Sequence, residues 1–454
     1  MNLQKQRRKR GVILTPQGWQ KLQTAKAEAE DCENDGIRYS LEALSFRIGL
    51  DSDTLCKVFN RQIGVDRSTL NRCFAAFKLL LDPQDYYRPQ PEGETITGLS
   101  ENIRKIRWDW GEAPESGVFY GRTEELSKLK HWIIEEHSRL VALLGMGGMG
   151  KSCIAVKLAR EIQDRFELII WRSISGCSAV NDFIAGLLKF FANDEETNLP
   201  ETLDGKISRL IQYLREHRCL LVFDNMETIL KGCDASYRKN GFCNCLGHYC
   251  EGYEGYGELL KRLGETLHQS CVVVTSREKP QEIGLLEGEN LAVRYLQVKG
   301  LPAAEAQKIL MGNGCFSDSP TDYQQVIEFY GGNPLALKLV SRTIQNLFAG
   351  NLSEFFKQKP GVFGHIRELL DGHFDRLSHP EKEIINCLSS NCQAASFTEL
   401  RSQISPNISL SNLMESLESL TDRCLIDKDT PKFIEKGATV FYLQPVVREY
   451  AMSR

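Results

Sequence analysis

Gly145-Met146-Gly147-Gly148-Met149-Gly150-Lys151-Ser152 decides how this chain is read. The stretch fits G-x-x-x-x-G-K-[ST]. It follows the apolar run RLVALL at 139–144 and opens a helical pattern that reaches Phe166. A strand before the glycines and a helix after them separate a phosphate loop from a chance glycine-rich turn. The glycines let successive backbone N–H groups curl around phosphate oxygens. The helix N-terminus adds a partial positive charge. Lys151 is expected to reach the β- and γ-phosphates and Ser152 to ligate Mg²⁺. Gly145, Gly147, Gly148, Met149, Gly150 and Cys153 complete the part of the loop expected to meet the ligand.

Short apolar runs recur around this loop: ELIIW (167–171), CLLVF (219–223) and CVVVT (271–275), with helical stretches between them. Such alternation implies a parallel sheet covered by helices on both faces. Leu220 to Phe223 lead into Asp224, where a strand-end carboxylate beside a phosphate loop would hold Mg²⁺, usually through water. Residues 301–362 read as helical, and 363–454 as helices followed by a hairpin at KFIEKGATVFYL, the outline of a winged helix. Residues 15–82 look all-helical. SLEALSFRIGLDSDTLCKVFNRQ fits a helix-turn-helix, in which Ser45 is expected to permit close approach of two crossing helices. A third helix is expected from about Arg67 to Leu81. Residues 86–112 read as a linker in which Trp108 and Trp110 dock on something.

The 454 residues exceed what one core supports, so several domains are expected. With 42% hydrophobic and 26% charged residues, the composition excludes a mostly disordered or fibrous chain. No apolar run approaches the ~18 residues of a membrane span. The basic start, MNLQKQRRKRG, lacks the apolar stretch of a secretory signal. Fifteen cysteines without a signal therefore suggest a cytoplasmic protein with reduced thiols or metal ligands. Residues 1–90 carry net +4 and the remainder net −8, so only the head invites nucleic acid; a solvated basic tail explains Lys5 to Arg10 equally well.

With these motifs in order, residues 113–454 resemble the NB-ARC branch of the STAND nucleotide switches, P-loop ATPases related to apoptotic and plant-immune regulators. FYGR (Phe119, Tyr120, Gly121, Arg122) looks like the segment whose backbone meets adenine. VVVTSR (272–277) looks like the sensor strand, with Arg277 detecting the γ-phosphate. GGNPLAL (331–337) is similar to the GLPL motif, whose Pro334 would pack near the base. Asn333 and Pro334 also suit the N-cap and first position of a helix. FYLQPVVREY (441–450) falls where the family carries its MHD motif, and Gln444 stands for the histidine. A second acid often ends Walker B, but here it is Asn225, which cannot act as a base. Glu227 is then the candidate base, or an ordinary solvated carboxylate. The N-terminal part resembles helix-turn-helix domains found ahead of bacterial switches.

Residues 233–250 hold Cys233, Cys243, Cys245, His248 and Cys250. Thiolates with imidazole suit tetrahedral Zn²⁺, yet the spacing is not that of a standard knuckle, and a thiol-bearing loop is the other reading. Cys153 and Cys271, in apolar contexts, also read as small core residues. The fold expected is an α/β P-loop core (113–300) flanked by a helix-turn-helix domain (1–85), the linker, a helical domain (301–362) and a winged helix (363–454). The resemblance implies an ATP/ADP switch in signal transduction, with Mg²⁺, slow hydrolysis and self-association. It also implies either a partner that senses for it or sensor repeats beyond a fragment. The alternative is a transcription regulator binding DNA through residues 1–85.

Overall fold

The computed structural model describes residues 11–33, 39, 41–60, 65–87, 107–115, 117–177, 179–192, 199–232, 247–288, 291–358, 361–390, 394–429 and 439–454. Two compact units divide the chain, Met1–Asn102 and Ile103–Arg454.

The first unit contains β1 (Ile13–Leu14), α1 (Pro16–Glu33), α2 (Leu41–Ile48), α3 (Ser52–Asn60), α4 (Arg67–Ala75) and β2 (Tyr86–Tyr87). Leu22, Leu44, Leu55, Leu70 and Phe74 are buried together, as the apolar spacing requires. Two expectations need correction. The unit is not all-helical, because β1 and β2 pair antiparallel through Ile13–Tyr87 and Leu14–Tyr86. The third helix stops at Ala75 instead of Leu81, and Lys78 beyond it has φ 59°. Ser45 lies within α2, and its Oγ donates to Leu50 O at 2.5 Å, satisfying a carbonyl just past the helix end.

The second unit is built on β3 (Arg107–Asp109), β4 (Leu140–Leu144), β5 (Leu168–Ser173), β6 (Cys219–Asp224), β7 (Cys271–Ser276) and β8 (Val293–Gln297), with α5 (Thr123–Lys130), α6 (Lys151–Ile162), α7 (Val180–Phe191), α8 (Leu203–Glu216), α9 (Gly255–Glu265) and α10 (Gln281–Leu286). The sheet order is β3-β5-β6-β7-β4-β8, and every pair is parallel. All of β4, β6 and β7 is buried, as strands covered on both faces must be. The expected linker is thus corrected at both ends. Tyr86–Tyr87 pairs with β1, and Arg107–Asp109 forms an edge strand on β5. Trp110 packs on the core, whereas Trp108 remains 48% exposed.

Four helices follow: α11 (Ala303–Gly312), α12 (Pro320–Phe329), α13 (Pro334–Phe348) and α14 (Leu352–Lys357). After them come α15 (Gly364–Phe374), α16 (His379–Ser390), β9 (Ala395–Ser396), α17 (Phe397–Gln403), α18 (Leu410–Asp422), β10 (Ile426–Asp429), β11 (Val440–Leu443) and α19 (Pro445–Met452). The last three strands make an antiparallel sheet in the order β10-β11-β9. Ser396 and Glu399 start α17 with a reciprocal capping box, which is why the chain turns from strand to helix there.

Candidate functional site: a phosphate-loop cleft

The phosphate loop joins β4 to α6. Gly148 and Gly150 have φ of +81° and +90°, left-handed conformations that favour residues without a Cβ. Lys151 begins α6 and is 8% exposed. Its Nζ donates to Gly145 O at 2.7 Å and Met146 O at 3.1 Å, which folds the side chain back along the loop. Burial pushes its pKa down, against the pull of Glu227. Ser152 Oγ donates to Asp224 Oδ1 at 2.7 Å. The Thr275 hydroxyl on β7 donates to the same oxygen, and Asn225 N donates to Thr275 Oγ1 at 3.0 Å. The strand-end carboxylate is therefore fixed from the neighbouring strand. A hydroxyl and a carboxylate so placed are hard oxygen donors and fit Mg²⁺. Asn225 has φ 64°, a conformation asparagine tolerates, which gives its identity a backbone reason.

A cleft of about 620 Å³ opens above the loop. The structure brings Phe119, Tyr120, Arg122, Gly147, Gly148, Met149, Gly150, Lys151, Ser152, Cys153, Glu227, Arg277 and Pro334 onto its walls. That volume lies in the range of ligand pockets, ~300–1,000 Å³. Gly121, Gly145, Asp224 and Gln444 are not on the walls. Gly145 lies against β8, where a Cβ would come 2.7 Å from Val298 O. Asp224 stands behind Ser152. Gln444 stands at the N-terminal boundary of α19 without a side-chain capping bond, and its Nε2 donates to Asp427 Oδ2 at 3.3 Å on β10. Cys153 is exposed and lines the cleft, so reading it as core is corrected; Cys271 is buried as expected.

Glu227 and Arg277 are partners. Arg277 Nε lies 3.0 Å from Glu227 Oε1, and Arg277 N donates to Glu227 Oε2 at 3.2 Å. Both carboxylate oxygens are engaged, so Glu227 is not the free solvated carboxylate of the other reading.

Three contacts on the loop escaped sequence reasoning. Arg122, itself at φ 66°, donates from Nη2 to Met149 O at 3.1 Å and pairs with Glu125 at 2.7 Å. Asn333 caps α13 through Leu335 N and Ala336 N, as its position suggested, and its Nδ2 also reaches Gly147 O at 2.9 Å. His373, on α15, accepts from Gly147 N through Nε2 at 3.2 Å. Asn333 carried a capping signal; a lone histidine carried none.

Burial, with the cations of Arg277, Lys151, Arg376 and Arg423 around it, pushes His373 down to about 3. Its imidazole is thus neutral in the folded chain and able to accept from Gly147. Unfolded, it would titrate near ~6.5. The folded pKa is depressed, so the unfolded chain takes the proton first. Stability present above ~6.5 is lost as pH falls toward the folded pKa, at about 1.4 kcal/mol per unit. Between pH 7 and pH 5 the wild type should lose about 2 kcal/mol more than a His373→Gln variant, measured by chemical denaturation.

Of the cysteine cluster, Cys233, Cys243 and Cys245 lie outside the described residues. Backbone bonds tie His248 and Cys250 to Lys231 and Ile229. Among the described residues no group of three or more His, Cys, Asp or Glu is placed to hold a metal, and no helix is long and apolar enough to cross a membrane.

Comparison with known proteins agrees with this geometry. The NB-ARC domain family matches residues 122–231. An uncharacterized WD repeat-containing protein of Nostoc is 43% identical over 353 residues, 75% of this chain and 27% of that protein. The disease resistance protein RPM1 of Arabidopsis thaliana is 27% identical over 96 residues, 20% of this chain and 10% of its own length. The chain thus spans about a quarter or less of these curated relatives. A STAND protein with a tetratricopeptide repeat sensor from Pyrococcus horikoshii shares 19% identity, with 76% of this chain and 44% of that one covered and a TM-score of 0.38. Residues 122–231, which contain the phosphate loop, match the NB-ARC family, so this part of the chain carries an NB-ARC domain.

Proposed function

We propose that this protein is a switch that binds ATP or ADP in the cleft and changes conformation and self-association with the number of phosphates. One observation carries the reading: the floor of the cleft is the phosphate loop, while Pro334 and Leu335, from the start of α13, line it beside Arg277. A nucleotide there touches elements from two parts of the chain at once. A ligand shifts a conformational equilibrium only through such differential contacts. The order α16-β9-α17-α18-β10-β11 supports the winged-helix reading of the C-terminal part, and α2 and α3 support a helix-turn-helix ahead of it. DNA binding through residues 1–85 remains the second reading, resting on that pair of helices and the net charge of the head.

Phe119 and Tyr120 offer backbone and ring surface to a base. The loop amides and Lys151 would take the phosphates, and Ser152 with Asp224 would hold Mg²⁺. That ion, when bound, supplies neutralisation of phosphate charge. Hydrolysis should be slow, because Asn225 cannot accept a proton and Glu227, the remaining candidate base, must act while also holding Arg277. We expect turnover far below the ~10 s⁻¹ of a typical enzyme. Glu227→Gln should slow it by a further ~10²-fold or more while leaving affinity for ADP near wild type. Single-turnover phosphate release with calorimetric titration of ADP tests both parts. Wild-type hydrolysis in the variant removes Glu227 as base, and failure of the wild type to bind ADP removes the switch.

A further inference from the structure

The two hydrogen bonds on Gly147 come from opposite sides of the site. Asn333 Nδ2 donates to its carbonyl at 2.9 Å, and His373 Nε2 accepts from its N–H at 3.2 Å. Both side chains are buried. Gly147 is also the loop residue against which Arg277 lies: a Cβ there would stand 3.2 Å from Arg277 Cζ. Lys151 and Arg277 both act on His373 electrostatically, so the imidazole sits among the cations that phosphate charge would seek. A neutral imidazole nitrogen that accepts an N–H bond directs its lone pair along that bond. Here the lone pair occupies a backbone donor of the phosphate cradle.

The geometry points to His373 as a residue that determines nucleotide specificity, disfavouring a third phosphate by holding the Gly147 N–H that a terminal phosphate oxygen would approach. The inference rests on the nucleotide reading above. A diphosphate can use the loop amides from Gly148 onward together with Lys151, the part of a phosphate loop that cradles the α- and β-phosphates. Those contacts leave the Gly147–His373 bond intact. A third phosphate must enter at the Arg277 end, where its oxygens meet the imidazole lone pair. Either the imidazole leaves Gly147, or the phosphate gives up that approach.

The displacement has somewhere to go. Arg376 lies three residues after His373, just past the end of α15, and its N donates to His373 O at 3.3 Å. Arg376 Nε pairs with Glu278 Oε1 at 2.6 Å, and its Nη2 donates to Leu230 O at 2.7 Å. Glu278 directly follows Arg277. One turn of chain is thus fastened both to the phosphate loop and to the neighbour of the arginine expected to read the terminal phosphate. Pushing His373 off Gly147 strains the Arg376–Glu278 pair, and His373 acts through that turn on the C-terminal helices.

Calorimetric titration with ADP and with a non-hydrolysable ATP analogue tests this on the full chain. The wild type should bind ADP more tightly. His373→Ala should shrink the ADP-to-triphosphate preference by on the order of tenfold, mainly through tighter triphosphate binding. His373→Gln, whose side-chain carbonyl can accept the same N–H, should keep much of the preference. A merely structural role would move both affinities together. A wild type that prefers the triphosphate, an unchanged ratio in the alanine variant, or a glutamine variant that behaves like alanine overturns the inference and leaves the switch standing. A wild type that binds neither nucleotide overturns both.

Discussion

Replacing Lys151 with alanine should weaken ADP and ATP binding by about 3–5 kcal/mol, roughly a hundredfold to several-thousandfold in Kd. Lys151 is the cation fixed inside the loop itself. Its Nζ is held by two loop carbonyls, Gly145 O and Met146 O, and is only 8% exposed with the rest of the side chain. Burial already pushes its pKa down, so an anion arriving beside it relieves a charge the fold holds at a cost. Phosphate binding therefore replaces neutral carbonyl partners with charged ones. The alanine variant should also free Gly145 O and Met146 O from that donor, a minor loss beside an open cleft. Isothermal titration with ADP measures the effect, and an affinity within threefold of wild type would refute the phosphate-loop assignment.

The second large effect concerns stability. Glu278 (3% exposed) accepts from Arg423 Nη1 at 2.6 Å and from Arg376 Nε at 2.6 Å. Arg423, at 2% exposure, also lies 3.3 Å from Glu381, whose carboxylate is fixed by Ser378 N and Ser419 Oγ. Buried ion pairs gain little over an apolar core, but removing one partner strands the other in a medium that cannot solvate it. Glu278→Ala should cost about 3–5 kcal/mol and lower the apparent melting temperature of the second unit by about 10 °C. Arg423→Met together with Glu381→Gln, added to Glu278→Ala, should recover part of the loss, because the three changes remove the buried charges that lose a partner. A melting shift below ~2 °C in the single variant would mean water reaches the arginines. Because Glu278 neighbours Arg277, the same variant is expected to loosen the C-terminal helices from the nucleotide machinery.

The chain's local grammar was legible. Gly145 to Ser152 follow an apolar run and open a helix because the loop, its strand and its helix start are one continuous segment. Asp224 at the end of β6 and Asn333 with Pro334 at the head of α13 are equally local, each fixed by neighbours within a few residues. Strand-by-strand alternation gave the parallel sheet, since burial on both faces leaves uninterrupted apolar runs. What failed was local in a different sense. Leu79 to Leu81 continue an apolar pattern but not α4. Arg107–Asp109, too short and polar to read as a strand, is held by the β5 edge it pairs with.

Tertiary structure alone decided the remaining contacts of the site. His373 meets Gly147 across 226 positions, Asn333 reaches it across 186, and Arg277 takes both oxygens of Glu227 from 50 positions away. Gln444 stands where a motif placed it along the chain, yet its amide turns to Asp427, because helix α19 starts there and β10 lies within reach. A motif fixes which residues bring chemistry and where the backbone bends, through hydrogen bonds and sterics spanning a few residues. Which buried donor meets which acceptor depends on how separately folded layers pack, and the cost of leaving such groups unpaired is settled only when those layers meet.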